Sequence, residues 1–214
     1  MNSTGHWSLD QWVERPHDGA MTAPDDLTID NFGPLLHLAG TWEGEGGVDV
    51  SYHHTEGDVG DTKYLERVTL SPFGPVDNGS QTLFGLDYRM AAWRMNELDG
   101  DPFHTEVGYW LYDAAEQQIM RCFMVPRGTV LIAGGAAEPN ATSFSITAAL
   151  GSTTYGVLNN RYLDLSARCD SYRADISLET DGWSYEEDTV LTMQQFDEPY
   201  HHTDRNVLRR IESA

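Results

Sequence analysis

The sequence predicts an all-β protein: one antiparallel up-and-down β-barrel of about ten strands, with a short helix on its N-terminal side. Three observations lead there. First, apolar and polar residues alternate with a period of two in segment after segment. Tyr172, Ala174, Ile176 and Leu178 against Arg173, Asp175, Ser177 and Glu179 is the cleanest case. Second, turn residues punctuate the chain at short intervals, so successive strands are antiparallel neighbours. Third, Glu66, Glu106 and Arg121 interrupt strands that are otherwise apolar on both faces. A sandwich shares the periodicity, but a barrel with a partly polar cavity fits that mixture better.

Residues 1–29 read as an irregular N-terminal arm, with Pro16, Gly19 and Pro24, and with Trp7, Leu9, Trp12 and Val13 to lie against the barrel. Residues 30–214 read as a single barrel domain. Asp30-Asn31 precede Phe32, Leu35, Leu36 and Leu38, a capped helical turn ended by Gly40 and suited to plugging one end. Strand-like segments then run from Gly40 through Leu70 to a Pro72-Phe73-Gly74-Pro75 turn, and from Leu83 to Met95. Others run from Phe103 to Leu111 and from Ile119 to Val125, with a tight turn at Pro126-Arg127-Gly128. Thr129 to Ala133, Ser143 to Ala148 and Tyr172 to Glu179 follow. Asp181-Gly182 is a hairpin signal into Trp183 to Gln195, and Arg205 to Glu212 closes the series. Residues 151–169 lack the alternation and read as a long loop over the barrel mouth.

Thirteen basic and 34 acidic residues give a formal charge of −21. Such a surface repels phosphate backbones and anionic lipid, so neither nucleic acid nor membrane is an expected partner. No apolar run reaches the roughly 18 residues of a spanning helix. No secretory pattern is visible, and the cytoplasm is the expected compartment. Cys122 and Cys169 form no Cys-x-x-Cys pair, and Cys122 reads as a buried thiol. The oligomeric state is not fixed by the sequence, and a homodimer is compatible with it.

No glycine-rich phosphate loop, Gly-x-Ser-x-Gly elbow, His-Glu-x-x-His or calcium loop occurs. Among eight histidines, the adjacent pairs His53-His54 and His201-His202 stand out. Strand neighbours point to opposite faces, so one of each pair faces a cavity and the other faces away. One inward imidazole suffices for five-coordinate haem but not for a protein zinc site. A surface or hydrogen-bonded histidine is the commoner reading of such a pair. Glu66, Glu106 and Arg121 read as an inward ion pair, or as polar groups for a bound carboxylate.

Several stretches resemble one family in order. Gly40-Thr41-Trp42-Glu43-Gly44-Glu45-Gly46 is similar to the Gly-x-Trp-x-Gly-x-Gly opening strand of the nitrobindins, haem-binding barrels shaped like fatty-acid-binding proteins. Tyr64-Leu65-Glu66 with Phe73-Gly74-Pro75, Pro102 to Tyr109, and Val125 to Gly128 resemble its later strands and turns. Leu208-Arg209-Arg210 after a histidine resembles the closing strand that bears the axial ligand. Counted back from Leu208, that position falls on Thr203, and a one-residue shift places it on His202. The family's short Tyr-Pro-Thr turn is replaced by a longer stretch, Val48 to Asp61. The resemblance implies a calycin-like barrel holding ferric haem b, with His202 as axial iron ligand and His201 as the second candidate. It also implies nitric oxide binding and a peroxynitrite isomerase activity that yields nitrate. The alternative is a non-catalytic carrier of a fatty acid or other small apolar ligand, with Arg121 on the head group.

Overall fold

The computed structural model describes residues 27–213. The arm expected over residues 1–29 lies almost wholly outside them. The chain forms a closed barrel of eleven strands in the order β1-β11-β10-β9-β7-β8-β6-β5-β4-β3-β2. The strands are β1 (Gly40–His53), β2 (Asp58–Asp77), β3 (Thr82–Arg94), β4 (His104–Asp113), β5 (Gln118–Val125) and β6 (Thr129–Ala136). They continue with β7 (Ser143–Leu150), β8 (Gly156–Leu158), β9 (Ala167–Glu179), β10 (Gly182–Met193) and β11 (Tyr200–Ser213). All pairings are antiparallel except β7 with β8. The first and last strands pair, Gly40 opposite Ser213, so no edge is left open.

Two short helices, α1 (Ile29–Phe32) and α2 (Leu35–Leu38), plug the end where β1 begins. The Thr28 side chain caps α1 by accepting from the Asn31 N–H at 3.3 Å, a role expected of Asp30-Asn31. Phe32, Leu35 and Leu38 are fully buried, and the Trp42 indole N–H donates to the Leu38 carbonyl at 2.7 Å. Helix α3 (Arg161–Ser166) stands at the opposite end, capped by the Asn160 side chain. The stretch expected as a loop therefore holds β8 and α3. A three-residue strand is too short to show an alternation.

β1 carries the feature that sets the site. Between Gly44 and Gly47 it advances three residues while β2 retreats two, Glu66 to Tyr64. β11 registers the same excess between Glu43 and Val48. One extra residue is a β-bulge, and it inverts the facing of everything beyond it. Trp42 is buried before the bulge, and odd-numbered Asp49 is buried after it. Glycine is required there: a Cβ on Gly47 would lie 2.3 Å from the Tyr64 ring, and one on Gly44 would lie 2.8 Å from the Asn206 amide.

The outer wall is also uneven. On β4, β5 and β6 the outward positions include Tyr109, Leu111, Met120, Cys122, Met124, Val130 and Ile132. Cys122, read as buried, is half-buried on this wall, because Arg121 and Phe123 take the inward positions.

Candidate functional site

A cavity of about 680 Å³ opens at the end away from the plug, between the β1–β2 hairpin, the Arg127 turn and α3. That volume falls in the usual range of small-molecule sites, roughly 300–1,000 Å³. Phe103, Phe123, Leu163, Leu191 and Met193 supply apolar wall, and Arg94 and Arg127 also line it.

Alternation along β11 settles the terminal histidine pair. Asn206 and Leu208 are buried, so His202 and Asp204 share the inward face, while Thr203 and His201 are exposed. His201 Nδ1 faces Asp188 on the outer surface at 2.8 Å. His202 lines the cavity, and its Nε2 meets the Asp49 carboxylate. Asp49 also accepts from the Ser51 hydroxyl at 2.7 Å. Burial raises the Asp49 carboxyl, but His202 and Ser51 more than offset it, and the net shift is downward. An ionised carboxylate only accepts, so Nε2 carries the proton. Nδ1 has no hydrogen-bond partner among the described residues.

Two polar clusters line the deeper cavity. In the first, Arg121 donates to Glu106 at 2.6 Å and to the Tyr88 hydroxyl at 2.8 Å, and its other Nη pairs with Glu187 and Tyr172. Tyr88, Trp110, Phe123 and Tyr172 present their rings to the guanidinium, the closest at 4.4 Å. Burial alone would raise the Glu106 carboxyl, but Arg121 and His104 hold it at about 2. His104 Nε2 lies 3.2 Å from Glu106, whose charge lifts the imidazole against the opposing effect of burial. Glu66, Glu106 and Arg121 are all inward, as the sequence indicated. Arg121 already faces two carboxylates, so the structural ion pair is the arrangement formed and a ligand head group finds no spare charge there.

In the second cluster, Asp204 accepts from the Tyr64 hydroxyl, which lies 2.8 Å from the Tyr185 hydroxyl. Tyr185 donates to Glu66 at 2.8 Å, and the Asn206 amide donates to the same carboxyl at 2.9 Å. Neither acid makes a salt bridge among the described residues. Burial pushes Glu66 to about 7, and burial with the Glu187 charge pushes Asp204 to about 8.

The raised Glu66 has a sign that can be tested. Between its ordinary 4.5 and about 7 the folded protein keeps a proton that the unfolded chain has released. Stability therefore falls as pH rises through that window. Asp49 and Glu106, both lowered, act oppositely, and their contribution is lost only in acid. Thermal unfolding is expected to give a higher midpoint near about pH 5 than near about pH 8. Glu66→Gln is expected to shrink the difference, and an equal slope in both proteins would refute the assignment.

Asp49 and His104 were not singled out from sequence. Simple alternation from Trp42 places Asp49 outside; only the doubled glycines at Gly44 and Gly46-Gly47 signal the change of phase. His104 sits in the Pro102–Tyr109 stretch, where its pairing with Glu106 two residues on was a usable clue.

Comparison with known proteins agrees with this architecture. The sequence model described as "THAP4-like, heme-binding beta-barrel domain" matches residues 31–210. No curated protein matches. Among solved structures, the crystal structure of Rv2717c from M. tuberculosis is similar at a TM-score of 0.57 and 18% identity, covering 84% of this chain and 99% of that one. At that identity the likeness concerns the fold. With 180 consecutive residues under one family model, the bulged opening strand and the closing strand included, the chain belongs to the THAP4-like haem-binding β-barrel family.

Proposed function

We propose that the cavity binds haem b, held by His202 through Nδ1, and that the protein binds nitric oxide and isomerises peroxynitrite to nitrate. One observation carries the reading. An imidazole from the closing strand enters an open cavity with one nitrogen fixed by a carboxylate and the other unpartnered. The surroundings fit the group. Metal-binding histidines commonly give their second N–H to a carboxylate, which fixes the ring and makes it a stronger donor. Phe103, Phe123, Leu163 and Leu191 offer apolar contact, and Arg94 and Arg127 offer cations for the propionates.

When bound, haem supplies an iron centre able to bind nitric oxide and to act as a Lewis acid on peroxynitrite. The chain's own part is narrower. Asp49, held by Ser51, orients the His202 ring. His104, beside Glu106, presents a second imidazole to the cavity and offers a proton or a hydrogen bond to a bound anion. The plug helices close the far end against water.

The test is titration of the full chain with ferric haem. A Soret band saturating at one equivalent is expected, followed by spectral change on adding nitric oxide and by faster conversion of peroxynitrite to nitrate. A colourless protein after gel filtration overturns the reading. Asp49→Asn is expected to weaken haem binding by about 10–100-fold and to raise the iron reduction potential, because the amide donates less charge to the ring.

A further inference from the structure

Four buried tyrosines, Tyr64, Tyr88, Tyr172 and Tyr185, line the cavity, and haem ligation uses none of them. A phenol in a dry site does not lose an electron alone, because that would leave a buried cation. Its proton must leave in the same step, to a base already in hydrogen-bond contact. The bases differ. Tyr88 donates to Glu106 and Tyr172 to Glu187, but Arg121 pairs with both carboxylates. Protonating either one would strip the guanidinium of a counter-charge. Tyr185 donates to Glu66 at 2.8 Å, and the neutral Asn206 amide supports the same carboxyl at 2.9 Å. Glu66 makes no salt bridge among the described residues, so a proton placed there strips no cation. Glu106 stands at about 2 and Glu66 at about 7, which makes Glu66 the stronger base. The Tyr64 hydroxyl, 2.8 Å from that of Tyr185, completes a phenol pair.

We propose that Tyr185 is a one-electron donor to the cavity, reducing nitrogen dioxide to nitrite while its phenolic proton passes to Glu66. The step balances. One electron goes from the phenol to nitrogen dioxide, the Tyr185 O–H bond breaks, and an O–H bond forms on the Glu66 carboxylate. The products are nitrite, a neutral Tyr185 phenoxyl radical and a neutral carboxyl group. The proposal rests on the peroxynitrite reading for the source of the radical: nitrogen dioxide escapes when the peroxynitrite O–O bond breaks and the fragments fail to rejoin. The neighbouring rings keep the electron deficit on the phenol pair. Trp183 lies 5.8 Å from Tyr185 between ring centroids, but its indole N–H is buried with no acceptor among the described residues. Oxidising it would leave a cation with no base to take the proton. Trp42 lies beyond, with the Arg210 guanidinium 4.0 Å over its ring, and a positive ring there would be repelled. Tyr185 therefore traps the radical inside the barrel.

Pulse radiolysis of nitrite in the presence of the full chain, without haem, tests this, with nitrogen dioxide itself as the probe. The absorbance of the tyrosyl radical is followed in time. A fast phase is expected, ahead of the slower oxidation of exposed tyrosines that lack a fixed base. Tyr185→Phe is expected to remove the fast phase, and Tyr162→Phe, on the exposed face of α3, to leave it unchanged. Glu66→Gln keeps the shape but takes no proton, and is expected to slow the phase by about 100-fold, the lower end of a positioned base's worth. Wild-type protein gives a reading that needs no variant: the fast phase slows in heavy water, because the proton moves with the electron. A fast phase that survives Tyr185→Phe overturns the proposal. So does one indifferent to Glu66→Gln or to heavy water, or the absence of any fast phase. Failure of haem binding would leave every one of these readouts in place.

Discussion

His202→Ala is expected to abolish the Soret band that wild-type protein develops with ferric haem. The loss should exceed the roughly 10–100-fold expected from Asp49→Asn, because the donor itself is removed rather than its support. The alanine variant also strips a buried carboxylate of its partner, which costs about 1–3 kcal/mol by itself. His202→Gln separates the two effects. Its amide can still donate to Asp49, so folding stability is kept while the imidazole is lost. His201→Ala is the matching control, since that ring pairs with Asp188 on the outer face. A Soret band that survives in His202→Gln but disappears in His104→Ala would transfer the ligand role to β4. The barrel would then still be a haem protein, held from its opposite wall.

The largest stability change is expected from Arg121→Met. The guanidinium is 5% exposed and is shared by Glu106 and Glu187. Removing it leaves two carboxylates in the barrel interior with their mutual repulsion and only the His104 imidazole beside Glu106. Breaking a buried pair in this way costs about 3–5 kcal/mol, a large part of the roughly 5–15 kcal/mol that holds a domain together. The thermal midpoint should fall by about 10 °C for a chain of this size. The triple variant Arg121→Met, Glu106→Gln, Glu187→Gln should recover much of the loss, because neutral groups no longer need the cation. Failure to recover would mean that the aromatic stack around the guanidinium, rather than charge compensation, carries the cost. Urea unfolding of the three proteins measures both outcomes.

These sites differ in how far they could be read without coordinates. Strand periodicity sufficed for the wall, for closure of β1 on β11, and for the inward placement of Glu66, Glu106 and Arg121. Parity also sorted the terminal pair once a neighbour of known facing existed: Leu208 is buried, and His202 lies six residues before it. The family count that fell on Thr203 names an exposed position. What stayed hidden had physical reasons. β8 is three residues long, and α3 is six, below the length at which either period becomes visible. Asp49 was obscured because alternation was carried across a bulge. Cys122 was misjudged because both faces of β5 are apolar, one as core and one as exposed wall. Hydrophobicity alone does not separate them.

The doubled glycines of the opening strand act like a frameshift within a two-letter code. Up to Gly44 the strand spells a seal against the plug helices; past Gly47 the same chain spells a cup. Deleting one residue there would exchange Val48 and Val50 with Asp49 and Ser51, making the cup greasier and putting the acid on the outside, while Trp42 kept its place. Evolution can therefore recast what the open end holds in one genetic event without re-solving how the closed end packs.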